Sequence, residues 1–142
     1  MKIALGTDHA GFPLKEHLKG FLTRLGHEVV DCGCFSVEAV DYPVFVRPAA
    51  EAVARGEADR GIVLGGSGNG EAMCANKVRG VRCALCWSVE TAELARRHND
   101  ANVISLGARV TGETTAEQIV DVFLTTAFDG GRHERRIRML DG

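Results

Sequence analysis

The sequence lacks a long apolar run, an excess of either charge and any internal repeat. Without the 18 or more consecutive apolar residues of a spanning helix, no membrane segment is expected. With 17 Lys and Arg against 19 Asp and Glu, the formal net charge is only −2. That excludes the basic field of a nucleic-acid binder and the acidic excess of a disordered tail. Linkers and low-complexity tracts are absent too, so residues 1–142 read as one domain. At 45% apolar residues the chain is large enough for one real core. The opening Met1-Lys2-Ile3-Ala4-Leu5-Gly6 turns to Thr7-Asp8-His9 too early for a secretory signal, and the expected compartment is the cytoplasm.

A paired-cysteine framework is lacking as well. The cysteines are Cys32, Cys34, Cys74, Cys83 and Cys86, an odd number that argues for reduced thiols. Cys83-Ala84-Leu85-Cys86 has the spacing of a metal or redox motif, but it lies in Val81–Trp87, which reads as a buried strand. Residues three apart on a strand point to opposite faces, and no second pair stands at zinc-site spacing. These thiols are expected in the core, and no metal is expected.

What is present is an alternation of short apolar runs with longer amphipathic ones. Strands are expected at Lys2–Gly6, Glu28–Asp31, Gly61–Leu64, Arg82–Cys86 and Val103–Leu106. Helices are expected at about Phe12–Leu25, with Pro13 in its first turn, and at Val44–Ala54, where Pro48 should kink the helix or delay its start. Further helices fall at about Glu71–Lys77 and Val89–Asn99. Thr115-Ala116-Glu117-Gln118 has capping-box spacing for a helix to about Thr125, and a last basic helix begins near Arg132. Five strands alternating with helices predict an α/β, Rossmann-like three-layer sandwich around a five-stranded parallel sheet. Ligands bind beyond the C-terminal strand ends of such sheets. That singles out Asp8-His9, the glycine-rich loop Gly65–Gly70 and the segments near Asn99 and Arg109.

The loop Gly65-Gly66-Ser67-Gly68-Asn69-Gly70 joins a strand to a helix, where backbone N–H groups gather around an anion. It is not a Walker loop, because Gly70 is followed by Glu71-Ala72 rather than Lys and Ser/Thr. Nor is it a dinucleotide fingerprint, because no glycine stands three residues after Gly68. A carboxylate at Glu71 would repel a phosphate. It could instead take a proton from a carbon next to a carbonyl while the amides hold the enediolate oxygen. The helix N-terminus favours ionised Glu71, whereas burial raises its pKa; the alternative is a tight turn with a favourable first-turn acid.

Other candidates carry equally plain alternatives. Asp8 at the head of the first helix has the chemistry of an N-cap, although His9 beside it points to a ligand edge. His98 lies in Arg96-Arg97-His98-Asn99-Asp100, either a cationic helix end or an acid/base group titrating near neutrality. Arg132 and Arg136 are four apart on one helix face, either solvated or gripping a phosphate, and Arg109 could supply a third cation.

Taken in order, Gly6–Gly11, Asp41-Tyr42-Pro43, Gly61–Glu71, Ala75-Asn76-Lys77, Arg97–Asp100, Gly107-Ala108-Arg109 and Arg132-His133 resemble the sugar-phosphate isomerase family. That family contains ribose-5-phosphate isomerase B and the galactose- and allose-6-phosphate isomerases. The resemblance implies a homodimer, or a pair of dimers, with active sites at the subunit interface and no metal or organic cofactor. It implies interconversion of ribose 5-phosphate and ribulose 5-phosphate. By position, Asp8 and His9 contact the sugar phosphate, Gly66, Gly68, Asn69 and Gly70 belong to the anion loop, and Ser67 stands near the moving proton. His98 assists ring opening with Asn99 beside it, and Arg109, Arg132 and Arg136 take the phosphate. One branch of the family carries a cysteine base at the position of Gly65. This chain looks like the other branch, with glutamate at Glu71. A hexose-6-phosphate isomerase and a noncatalytic sugar-phosphate-binding module remain the competing expectations.

Overall fold

A computed structural model describes residues 1–142. Strands β1 (Lys2–Thr7), β2 (Glu28–Asp31), β3 (Arg60–Gly65), β4 (Cys83–Leu85) and β5 (Val103–Gly107) form one sheet in the order β2-β1-β3-β5-β4. Every pairing is parallel. Six helices accompany them: α1 (Phe12–Arg24), α2 (Tyr42–Ala54), α3 (Asn69–Asn76), α4 (Val89–Asn99), α5 (Glu113–Thr125) and α6 (Arg132–Asp141). None is long and apolar enough to cross a membrane.

The alternation of side chains along each strand divides the core into two layers. Ile3, Leu5, Ile62, Leu64, Ile104 and Leu106 pack on one face with α1, α4 and α5. Ala4, Val63 and Val103 pack on the other with α2 and α3. Cys86 joins the first layer and Cys83 borders the second, so their sulfurs diverge as a strand requires. All five thiols are free.

Several boundaries differ from those expected, each for a local reason. Helix α2 starts at Tyr42, two residues early, because Asp41 is its N-cap and Pro43 suits the first turn. Pro48 sits inside it; its missing N–H leaves the carbonyl of Val44 without a helical partner, and both residues are exposed to water. Thr115 is no cap: α5 begins at Glu113, with the Gly112 carbonyl accepting the N–H of Ala116. The capping box lies instead at Ser88 and Thr91, ahead of α4. Strand β4 shrinks to three residues, since the Arg82 N–H is taken by the Asn102 side chain.

Candidate active site

Strands β1 and β3 are neighbours, yet α1 and α3, which leave their C-terminal ends, lie on opposite faces. The crevice this opens beyond the C-terminal strand ends is where an open α/β sheet binds ligands. Here it is a cleft of about 570 Å³ lined by Asp8, Tyr42, Gly66, Ser67, Gly70, Glu71, Arg109 and Val110.

Glu71 stands in the first turn of α3 and is only 5% exposed. Burial raises its pKa; its own backbone N–H works against this, and the nearby Asp8 carboxylate adds to the rise. Burial therefore prevails over the helix terminus. Gly65, the last residue of β3, has no side chain, and the Glu71 carboxylate fills the space a β-carbon would take. Gly68 caps α3 at φ +84°, a conformation that favours glycine, and so turns the loop from strand into helix.

Asp8 accepts the N–H groups of Ala10 (2.9 Å) and Gly11 (3.2 Å), so it caps the turn before α1 and lines the cleft as well. His9 accepts the Val40 N–H through Nδ1 at 3.1 Å, which leaves the ring proton on Nε2. Arg109 packs over Gly66 just past β5, and its N–H donates to the Gly66 carbonyl at 3.0 Å. Ser67 Oγ accepts from both the N–H and the Nδ2 of Asn69, each at 3.2 Å.

The remaining candidates are elsewhere. Asn99 ends α4 and precedes β5, so it lies at the N-terminal edge of the sheet, not beyond the C-terminal strand ends as the sequence pattern predicts. Arg82, immediately before β4, holds the carbonyls of Asn99 (2.9 Å) and Asp100 (3.0 Å) there. His98 stacks on His133 of α6 with ring centroids 4.5 Å apart, and Arg132 and Arg136 project from the same helix. Thus His98, Asn99, Arg132 and Arg136 form a second group. The length of β5, at about 3.3 Å per residue, separates it from Glu71 by roughly 15 Å. Arg109 and the α6 arginines do not meet within one chain.

His98, Asp129 and His133 are the one trio of metal-type donors, with ligand atoms within 4.8 Å of one another. Asp129 is already paired with Arg97 at 3.2 Å. Burial lowers the His133 pKa, as do His98, Arg132 and Arg136. Such positive surroundings suit an anion better than a cation. Tyr42 and His133 received no role from the sequence, although both fall in short segments singled out there; nothing in their own spacing marks them.

The whole chain has close relatives. A family model described as Ribose/Galactose Isomerase matches residues 3–140. Ribose-5-phosphate isomerase B of Mycolicibacterium paratuberculosis is 51% identical over 142 residues, covering 99% of this chain and 89% of that protein. The crystal structure of a ribose 5-phosphate isomerase from Thermotoga maritima superposes with a TM-score of 0.97 at 50% identity, covering 99% of this chain and 97% of that one. The Mycoplasma genitalium ribose-5-phosphate isomerase B with bound ribulose-5-phosphate gives a TM-score of 0.94 at 40% identity, over 99% and 93% of the two chains.

Proposed function

Because the chain belongs to the ribose/galactose isomerase family, we propose that it interconverts ribose 5-phosphate and ribulose 5-phosphate by moving a proton between C2 and C1. The observation that carries this reading is Glu71, a buried carboxyl with a raised pKa in a cleft shared with Ser67 and Arg109. His98 assists opening of the furanose ring. Glu71 takes the C2 proton from the open aldehyde, the loop from Gly66 to Gly70 and the Ser67 hydroxyl hold the enediolate oxygen, and the proton returns at C1 as the hydroxyl proton passes from O2 to O1. Asp8 and His9 orient the sugar hydroxyls. The phosphate is gripped by arginines remote from the reacting carbons, so its binding energy holds C1 and C2 against Glu71. Neither metal nor organic cofactor enters this chemistry.

The separation of the two groups supports a homodimer, or a dimer of dimers. The α4–α6 edge of one copy would bring His98, Asn99, Arg132 and Arg136 to its partner's cleft. Exposed apolar residues support the same reading: Trp87 and Val110 follow β4 and β5, Met73 lies on α3, and Met139 and Leu140 end α6. Five free thiols accord with the cytoplasm.

Turnover of ribose 5-phosphate and of allose 6-phosphate by the purified protein tests the substrate. A clear preference for the pentose supports the proposal, and a preference for the hexose replaces it with the hexose-phosphate reading. Turnover of neither substrate leaves a binding module.

A further inference from the structure

Strand β5 reads Val103-Ile104-Ser105-Leu106-Gly107, and its one polar side chain is fully buried. A buried hydroxyl needs a partner. Ser105 finds it outside the sheet, donating to the carbonyl of Gly68 at 2.7 Å. The same carbonyl accepts the Ala72 N–H at 3.0 Å, the first bond of α3. With both its lone pairs engaged, the Gly68–Asn69 peptide plane is fixed from beneath. In a trans peptide the N–H points opposite to the carbonyl, so the Asn69 N–H is aimed away from β5. It meets Ser67 Oγ at 3.2 Å, as does Asn69 Nδ2. A serine hydroxyl has two acceptor positions and one proton. Asn69 occupies both acceptors, so the Ser67 proton is left to be donated into the cleft that Ser67 lines with Glu71.

We propose that Ser105 is a positioning residue for the isomerisation: through the Gly68–Asn69 peptide it holds Ser67 as a hydrogen-bond donor to the enediolate oxygen. The inference rests on the proposed isomerase activity and deepens it. Ser105 touches no substrate, and its effect reaches the reaction only through Asn69 and Ser67. The proton stays on Ser67 throughout, so no covalent bond changes in this part of the site.

The test compares Ser105→Ala and Ser105→Cys with wild type. Two phosphate-bearing inhibitors are used, a hydroxamate that mimics the enediolate and a polyol phosphate that mimics the open substrate. Complete loss of an oxyanion donor costs about 100- to 1000-fold in turnover, so misaiming one should cost about 5- to 30-fold. The expected result for Ser105→Ala is that loss in kcat with KM little changed. Affinity for the hydroxamate should fall in proportion while the polyol phosphate binds as before. Ser105→Cys, nearly isosteric and a weaker donor, should lie between the two. If Ser105→Ala does not fold, Ser105→Cys alone decides. Full kcat and hydroxamate affinity in the variant that folds, or equal weakening of both inhibitors, overturns the proposal while leaving the isomerase reading intact. A wild-type protein without isomerase activity overturns both.

Discussion

Gly65 and Glu71 share one volume: a β-carbon on the last residue of β3 would overlap the carboxylate of the candidate base. The missing side chain is what lets the acid fold back under the loop and become buried. Gly65→Ala should therefore displace the carboxylate. Misplacement by about 1 Å costs on the order of a hundredfold in rate. We expect kcat to fall by about that much while a polyol phosphate still binds. Unchanged turnover in Gly65→Ala would mean that the Glu71 position does not matter.

Acid dependence follows from the same burial. The proposed base works ionised, so kcat/KM should decline as pH falls through the Glu71 pKa, which burial raises above the ordinary carboxylate value. Asp8→Asn removes a neighbouring negative charge and should move that limb to lower pH. A limb that stays in place would remove Asp8 as a cause.

Stability gives an independent view of that group. A carboxyl with a raised folded pKa is neutral in both states below 4.5, its unfolded value, and destabilises progressively as pH rises through the folded pKa. Glu71→Gln should thus melt higher than wild type near pH 7, and the difference should close below pH 4.5. Thermal melts across that range check it, and a lower melting temperature for the variant at neutral pH would contradict the sign.

The floor of the site depends on a second buried charge. Lys15 is fully buried and holds Asp31 at 2.7 Å and the Cys34 carbonyl at 2.7 Å. This fixes the turn whose Gly33 and Cys34 pair with Thr7, the residue before Asp8. Burial pushes the Asp31 pKa up, but bonds from Lys15, Lys19 and the Gly33 N–H outweigh it and leave it lowered. That contribution to stability is present above 3.8 and is lost as pH falls through the folded value. Lys15→Met should cost about 2 kcal/mol in denaturant melts, because it leaves the partly buried Asp31 with only Lys19 and the Gly33 N–H and strips the Cys34 carbonyl of its donor. A loss of a few tenths would show the pair to be dispensable.

The sheet, its parallel order and the glycine-rich loop were legible because strand runs and Gly/Asn punctuation are local signals. The position of Asn99 was not. In each strand–helix unit the helix carries the chain back, so His98 and Asn99 sit beside β5 in sequence but at its N-terminal end in space. Ser105 carried a signal, a hydroxyl in the middle of an apolar strand, whose meaning depends on a loop 37 residues away. Thr115 misled because a capping-box spacing does not reveal whether its first residue is already helical. Burial of Glu71 could not be read from letters, since it depends on Gly65 and the packing around it.

The division of site residues between two edges gives its own test. Glu71→Gln and His98→Asn chains should each be nearly inactive alone. In the proposed dimer, mixing and reassociating the two chains at random makes half of the pairs hybrid, each with one intact site, so about a quarter of wild-type activity should return. No recovery after verified subunit exchange would contradict a shared site.

The most direct measurement follows hydrogen exchange from deuterated water into ribose 5-phosphate and ribulose 5-phosphate, comparing wild type with Glu71→Gln. Deuterium is expected at the carbons next to the carbonyl with wild type, and none above background with Glu71→Gln, although that variant still binds the substrate. Exchange at the wild-type rate in Glu71→Gln would remove Glu71 as the base.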